Sequence, residues 1–504
     1  MLSIASYRGP GMAGGVSTAL ATLWKTVGDR AQNWYYICSK SESIKCASKQ
    51  GESGSRASLE LILNPQLIQA HYHYCNDFIW PVMHDLPQHA SYRRQDRERY
   101  VHFNRQFARV IESKKRGYDN TCFIQDYQLA LVSRHFSGSK QIFWHIPWPR
   151  EVLPEHVEPV REIAEGLLAC ETIGFHTAEY ADNFARFVKE HLSDHSVVTF
   201  RRDRENRLRA VTAAGVPAGE RRSAGRLRVL VRNGLTQKVS RVFVAPLGLD
   251  IEYWQQLSRA SSTFDQELNE MGLGDGYILS VDRADYTKGV FERIKAIDVF
   301  FCKYPHWAGL TKFVQICGRT RAGLSAFDQY WSKCRGLADS VNRRHGTDNW
   351  DPIVWIDTPM SPELLSGCYR NARVMMVNPV RDGLNLTAKE FFVCQKDDPG
   401  TLLLSPGAGA WHEVGDHAVF ADPHNSLQMA EAIEESLRMP SQEREQRAGA
   451  VLRTLSENTL EDWCQFFAGH TTSQYSEKRY AQYMNRADSR GAGNIVLAAG
   501  SKGR

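Results

Sequence analysis

The stretch Val281-Asp282-Arg283-Ala284-Asp285-Tyr286-Thr287-Lys288-Gly289 decides the fold, because it follows the apolar run Tyr277-Ile278-Leu279-Ser280 and precedes a helical pattern. A loop that leaves a strand and opens a helix here carries two cations five residues apart. Arg283 and Lys288 can converge on one anion, while the helix start adds backbone N–H groups and the positive end of a dipole. A second loop of the same kind, Asn378-Pro379-Val380-Arg381-Asp382-Gly383-Leu384-Asn385-Leu386-Thr387-Ala388-Lys389-Glu390, lies between an apolar strand over Arg373 to Val377 and another helix. One strand-loop-helix anion site is common. Two, with carboxylates attached, suggest a sugar nucleotide.

The same alternation of short apolar strands and longer amphipathic stretches runs through the chain, which is the signature of βαβ units in an α/β protein with parallel sheets. Strands are expected at Leu2 to Ser6, Trp34 to Cys38, Thr121 to Gln125, Gln141 to His145, Thr172 to Phe175 and Val242 to Ala245, then at Tyr277 to Val281, Lys312 to Cys317, Ile353 to Ile356, Arg373 to Val377, Thr401 to Ser405 and Ala418 to Ala421. Helices are expected between them, among them Gly15 to Val27, Ala178 to His191, Lys288 to Phe301, Pro362 to Asn371 and Leu384 to Cys394. A chain of 504 residues exceeds one core, and at roughly 150 residues per domain it allows two or three. The turn Pro246-Leu247-Gly248-Leu249-Asp250 separates the two series, giving lobes over 1–246 and 247–468 and a terminal helix with a mobile tail over 469–504. The Arg-dense stretch Phe200 to Arg232 reads as an exposed hairpin or loop excursion, with a binding patch as the alternative.

Composition narrows the function classes. The hydrophobic fraction of 42% and charged fraction of 24% are those of a soluble globular protein. A net charge of +5 gives an anionic ligand some support. It does not make the basic, aromatic-interleaved stripe that nucleic acid would need. The eleven cysteines are scattered without a C-x-x-C pair, which reads as reduced thiols and a cytoplasmic setting. No signal-peptide pattern and no apolar run long enough to span a membrane is seen.

Other loops carry candidate groups. Ser6-Tyr7-Arg8-Gly9-Pro10-Gly11-Met12-Ala13-Gly14-Gly15-Val16 is glycine-dense and follows the first strand, so bare backbone at Gly14 and Gly15 can approach a phosphate, or simply turn tightly. Asp126 and His145 sit just past two strand ends, where an open parallel sheet lines its ligand crevice. Either could handle hydroxyls, or be a helix cap and a core histidine. In His71-Tyr72-His73-Tyr74-Cys75, His71 and His73 would share one side of a strand, yet no third and fourth ligand stand at zinc spacing.

These motifs together resemble the trehalose-6-phosphate synthase family of retaining glucosyltransferases. The matching stretches run from Arg8 to about Asp462 and include Asn76 to Pro81, Asp126-Tyr127, His145-Ile146-Pro147-Trp148-Pro149, Val281-Asp282-Arg283 with Lys288-Gly289, and Arg381 to Leu386 with Lys389-Glu390. The resemblance implies a GT-B fold, two Rossmann-like lobes whose parallel sheets face a deep cleft, the first binding the acceptor and the second the nucleotide sugar. It implies catalytic roles for Arg283, Lys288, Asp126 and His145. Donor contacts would come from Gly14, Gly15, Arg283, Lys288, Met360, Leu365, Asp382, Gly383, Leu384, Asn385, Leu386 and Glu390. Acceptor contacts would come from Arg8, His71, Trp80, Asp126 and Arg321.

The implied reaction moves an α-glucosyl unit from a nucleoside diphosphate glucose to a phosphorylated acceptor, foremost glucose 6-phosphate, giving trehalose 6-phosphate. It proceeds by front-face displacement with retention and needs no cofactor. No Asp-x-Asp metal motif stands out and no metal is expected. The partners are small molecules, not nucleic acid or membrane, with a homo-oligomer left open. Three departures sit on the acceptor side: Ile37 stands where the family has tryptophan, His71 where it has tyrosine, and Gln125 where it has histidine. They keep open a glucosylglycerol-phosphate synthase or a pseudo-glycosyltransferase using a cyclitol phosphate, and, in another class, a non-catalytic sugar-phosphate sensor.

Overall fold

The computed structural model describes residues 1–12, 14–37, 49–50, 57–115, 120–202, 208–211, 225–271, 273–274, 276–469 and 495–496. The chain divides into two units, one of Met1–Leu247 with Leu460–Arg504, the other of Gly248–Thr459. The helix Leu460–Gly469 belongs to the first unit, although sequence reading assigned it to the second. Packing explains the difference: Trp463 and Phe467 are fully buried against Phe123 and Phe143 of the first sheet, with Phe467 stacked on Phe123 at 4.7 Å. Gly174 makes room for this, since a Cβ there would come within 2.5 Å of Phe143 and 3.0 Å of Phe467. The terminal helix expected beyond 469 falls mostly on residues outside the described ones.

The second unit is a six-stranded sheet in the order Ile353–Ile356, Phe313–Gly318, Tyr277–Arg283, Ala372–Val377, Thr401–Leu404, Val419–Phe420, with every neighbouring pair parallel. In chain order this is 3-2-1-4-5-6, the doubly wound arrangement, whose switch point lies between the first and fourth strands. The two loops that opened the sequence argument end those two strands.

The first unit repeats the pattern. Ala57–Leu61, Ala31–Ile37, Leu2–Ala5, Thr121–Gln125, Ser139–Trp144 and Thr172–Phe175 lie parallel in the same 3-2-1-4-5-6 order. Its switch point falls between Leu2–Ala5 and Thr121–Gln125, so the glycine loop and Asp126 flank it. Beyond Val239–Val244 the sheet turns antiparallel through Arg226–Asn233, His195–Arg202, Leu208–Val211 and Ile495–Val496. Of the exposed hairpin or loop excursion expected over Phe200 to Arg232, the antiparallel pairing of a hairpin is present between His195–Arg202 and Leu208–Val211, and the exposure is corrected in the last part. Arg226–Asn233 is a sheet strand with a buried centre, and Arg228 donates to both carboxylate oxygens of Asp182 at 2.7 and 2.5 Å. Residues 203–207 and 212–224 of that stretch lie outside the described residues.

A second correction concerns His71 to Cys75. They are not a strand but the end of the helix Pro65–His73 and the start of a π-helical turn, Tyr74–Ile79. Asn64 caps that helix, its side chain accepting from Gln66 N–H at 2.8 Å. On a helix, residues two apart point about 200° away from each other, so the two histidines separate. His71 enters the core, and His73 turns to Asp77 at 2.8 Å.

Candidate functional site

The second unit builds its cluster on the switch-point strands. Tyr277–Arg283 ends in a tight turn, Tyr286–Lys288, before the helix Val290–Lys303. Asp285 organises the turn, accepting from Thr287 N–H and Thr287 Oγ1, both at 3.0 Å. Gly289 has φ +66°, and a Cβ there would meet the Asn378 carbonyl at 2.2 Å. Glycine is needed because the second loop passes directly over it. Val380 N–H donates to Thr287 O at 2.8 Å and Asn378 Nδ2 to Gly289 O at 3.0 Å, tying the two loops together.

Beneath them Arg293, 1% exposed, donates to Asn378 Oδ1 (2.6 Å), Gln315 Oε1 (2.9 Å) and Asp282 Oδ2 (2.8 Å). One guanidinium thus ties together three neighbouring strands of the sheet.

Cations crowd this turn. Burial raises the proton affinity of Asp285, yet the Arg321 guanidinium at 2.5 Å, then Arg283, the Thr287 N–H and Lys288 hold its carboxyl down to about 2. Arg283 and Lys288 thus both act electrostatically on the Asp285 carboxylate. Lys288 Nζ also donates to Asp382 Oδ2 at 2.6 Å, both groups being largely buried. These charged groups gather at a strand-end loop. Arg283 is the exposed member.

The second loop differs from expectation in one respect. Its helix begins at Thr387 rather than at Leu384, because Asn385 adopts φ +74°, which no helical residue can. The N–H groups of Leu384, Asn385 and Leu386 stand before that helix without an acceptor among the described residues. Asp382 Oδ1 accepts from its neighbour Gly383 N–H at 2.9 Å. Glu390 takes a hydrogen bond from Tyr369 Oη at 2.8 Å, and burial pushes its carboxyl up to about 7. Met360 and Leu365 lie half-buried against the core beside the helix Pro362–Asn371, with Cys368 Sγ 3.7 Å from Met360 Sδ.

The first unit arranges a different set. Arg8 is exposed on the glycine loop, where a Cβ on Gly14 (φ +131°) would lie 3.5 Å from its guanidinium; Gly15 opens the helix Gly15–Val27. Asp126 holds φ +65° directly after its strand, a strained conformation for an aspartate, and accepts from His145 N–H at 3.1 Å. Burial pushes its carboxyl up to about 7. His145 Nε2 is 2.9 Å from Gln125 Oε1 and its Nδ1 is 3.3 Å from His176 Nε2. Burial lowers its imidazole to about 3, so it is neutral. Trp80 packs on His84 and Tyr127 at ring distances of 4.1 and 5.8 Å.

His71 does not match its expected role. It is 0% exposed, stacks on Phe103 at 3.6 Å and on Tyr7 at 5.6 Å, and hydrogen-bonds Gln128 O at 2.9 Å. Burial lowers it to about 3. It is a core side chain packed among Tyr7, Tyr100 and Phe103. Arg321, expected beside the acceptor, lies in the second unit with the Asp285 cluster.

Sequence reading passed over Asp285, Arg293 and His176. His176 follows the strand end at Phe175, the same signal that selected Asp126 and His145. Away from both clusters, Asp298, Cys302 and His345 gather within 4.8 Å of one another. Arg344 pairs with one Asp298 oxygen and His345 with the other.

Two doubly wound units, one carrying a cationic cluster at its switch point, have the architecture of the GT-B class. The model of glycosyltransferase family 20 matches residues 11–472, and the chain belongs to that family. It is 30% identical over 400 residues to a bifunctional trehalose-6-phosphate synthase/phosphatase of Thermoproteus tenax, covering 77% of this chain and 50% of that protein. It is 27% identical over 413 residues to an α,α-trehalose-phosphate synthase (UDP-forming) of Dictyostelium discoideum, covering 80% and 52%. The chain thus spans about half the length of each of these relatives. An α,α-trehalose-phosphate synthase (UDP-forming) of Burkholderia xenovorans, solved in complex with glucose-6-phosphate, superposes with a TM-score of 0.79 at 25% identity, over 93% of this chain and 99% of that one.

Proposed function

We propose that this chain is a retaining glucosyltransferase that moves the α-glucosyl unit of UDP-glucose to the anomeric hydroxyl of glucose 6-phosphate, forming α,α-trehalose 6-phosphate and UDP. The observation that carries this reading is the convergence of Arg283, Lys288 and Arg321 on Asp285 beside the switch point of the second unit. In the reaction the bond from C1 to the diphosphate oxygen breaks as the acceptor oxygen bonds to C1 on the same face, and the acceptor proton passes to the departing diphosphate. Negative charge grows on the leaving group. Preformed cations and free N–H groups at Leu384 to Leu386 stabilise that charge more in the transition state than in the ground state, which is the requirement for catalysis.

The remaining roles follow from chemistry. Lys288 is held by Asp382 until a diphosphate competes for it, and Asp382 is then released toward sugar hydroxyls. Glu390, neutral or ionised near pH 7, can accept from a ribose hydroxyl. Met360 and Leu365 offer apolar flanks to a base. Arg8 supplies a guanidinium partner for the acceptor phosphate, worth about 1.5–3 kcal/mol as a charge-assisted bond. The reaction is assigned to the cytoplasm and to these side chains without a metal. Among the described residues no helix is long and apolar enough to cross a membrane, and the nine described cysteines form no disulfide.

A direct test incubates the protein with UDP-, GDP- or ADP-glucose and either glucose 6-phosphate or glycerol 3-phosphate, in chelator, following nucleotide release and the anomeric signals of the product. UDP release with an α,α-linked product from glucose 6-phosphate is expected. Transfer to glycerol 3-phosphate alone would reassign the acceptor, in line with the inward-turned His71 and Gln125. Saturable binding of glucose 6-phosphate with no turnover from any donor would make the protein a sensor.

A further inference from the structure

Four groups at the carboxyl ends of the first sheet form a hydrogen-bonded series with a defined direction. Leu247 N–H faces His176 Nδ1 at 3.3 Å, His176 Nε2 faces His145 Nδ1 at 3.3 Å, and His145 Nε2 faces Gln125 Oε1 at 2.9 Å. A backbone N–H can only donate, so His176 Nδ1 must be the acceptor. A neutral His176 then carries its proton on Nε2 and offers it to His145 Nδ1. His145 in turn keeps its proton on Nε2, directed at the Gln125 carbonyl. A second proton on either ring would set two N–H groups against each other.

The surroundings favour this arrangement. His145, His176 and Gln125 are 8%, 4% and 2% exposed, and the Phe143 ring lies 4.5 Å from His145 and 4.9 Å from His176. Thr177, next to His176, caps the following helix by accepting from Tyr180 N–H at 3.2 Å, which fixes the backbone carrying His176. Both ring nitrogens of His145 are thus engaged inside the protein.

We propose that His176 is a positioning residue: it locks His145 as the neutral Nε2–H tautomer, so that His145 acts on a sugar only as a hydrogen-bond donor, by exchanging Gln125 Oε1 for a sugar oxygen. The inference rests on the glucosyltransferase reading for its consequence, but not for its geometry. Leu247 is the last residue of the first unit before the chain enters the second, so the series runs from the interunit segment to the sugar-contacting histidine.

The test uses the full chain labelled with ¹⁵N-histidine. Long-range ¹H–¹⁵N spectra at about pH 7 report tautomer and charge for each ring, with His145 and His176 identified by the signals lost in H145Q and H176Q. Both rings are expected neutral with the proton on Nε2. In His176→Leu, His145 should become a tautomer mixture. kcat should fall at least about tenfold while the KM for glucose 6-phosphate moves less than about threefold. His176→Gln, which retains one donor and one acceptor, should restore kcat to within about threefold of the parent. A His145 with its proton on Nδ1, a charged His145, or an unchanged spectrum in His176→Leu would overturn the proposal. Should His176→Leu not fold, the parent spectrum and the rescue by His176→Gln decide it. Should the parent transfer no glucose, the functional reading fails while the spectrum still decides the tautomer.

Discussion

Around the switch point of the second unit Arg283, Lys288 and Arg321 crowd Asp285 and hold it at about 2, whereas at the switch point of the first unit the buried titratable groups are driven toward neutrality, His145 to about 3 and Asp126 to about 7. The strand orders are the same, 3-2-1-4-5-6 in both. What differs is the charge brought to equivalent loops. In the second unit Asp285 is met by cations that keep its charge in place against burial, whereas Glu390, bonded to Tyr369 Oη, is pushed up to about 7. In the first unit Asp126 meets N–H groups and aromatic walls, so burial removes its charge. A doubly wound unit supplies the location, and loop side chains decide whether it receives a diphosphate or neutral hydroxyls.

The largest break in this comparison should come from Arg293→Met. It removes the guanidinium that joins Asp282, Gln315 and Asn378 and leaves Asp282 buried and unpaired, which costs about 3–5 kcal/mol. Urea unfolding followed by fluorescence checks this, and an unchanged midpoint would mean that the cationic cradle does not depend on that network. Next in size, Lys288→Ala should lower kcat by about 10²–10³ with the fold intact, as expected when one preformed charge facing the leaving group is lost. Near-normal turnover would place the leaving group elsewhere.

Arg8 and Arg321 sharpen the contrast between the units. Arg8 is exposed on the glycine loop, so Arg8→Ala should raise the KM for glucose 6-phosphate by roughly 10–100-fold and leave that for the donor alone. Arg321→Ala should disturb both, because Asp285 would turn its full charge on Arg283 and Lys288. Steady-state kinetics with each substrate varied separates the two patterns.

The smallest effect is on stability against pH. Asp126 and Glu390 both have folded values near 7, above their ordinary 3.8 and 4.5. The folded state therefore holds their protons more tightly than the unfolded chain, so their contribution is full below about pH 4 and is lost as pH rises through about 7. Asp126→Asn and Glu390→Gln should each flatten the fall in Tm over that window. Parent-like curves would show both carboxyls already ionised in the folded protein.

Much of this was legible in the sequence, and the exceptions have physical reasons. Anion sites need cations and glycine on strand-to-helix loops, so Arg283, Lys288 and Gly289 announce themselves. His71 misled because His-Tyr-His-Tyr alternates with the period of a strand, while the spacing of buried Leu67, His71, Tyr74 and Phe78 is that of a helix. Asn385 forced the second helix to start later by entering the left-handed region, which spacing does not encode. The helix Leu460–Gly469 was assigned by position along the chain, but its Trp463 and Phe467 match the apolar face of the other unit's sheet. Arg293 and His176 were readable: one is an arginine on the buried face of a helix, the other a histidine at a strand end.

The most direct test of the central claim is calorimetric titration of UDP into the protein in the presence of chelator, for the parent, Arg283→Ala and Lys288→Ala. Saturable one-site binding by the parent, weakened at least about tenfold in each variant, is the result expected if these cations grip the diphosphate. Equal affinity in all three proteins would contradict it.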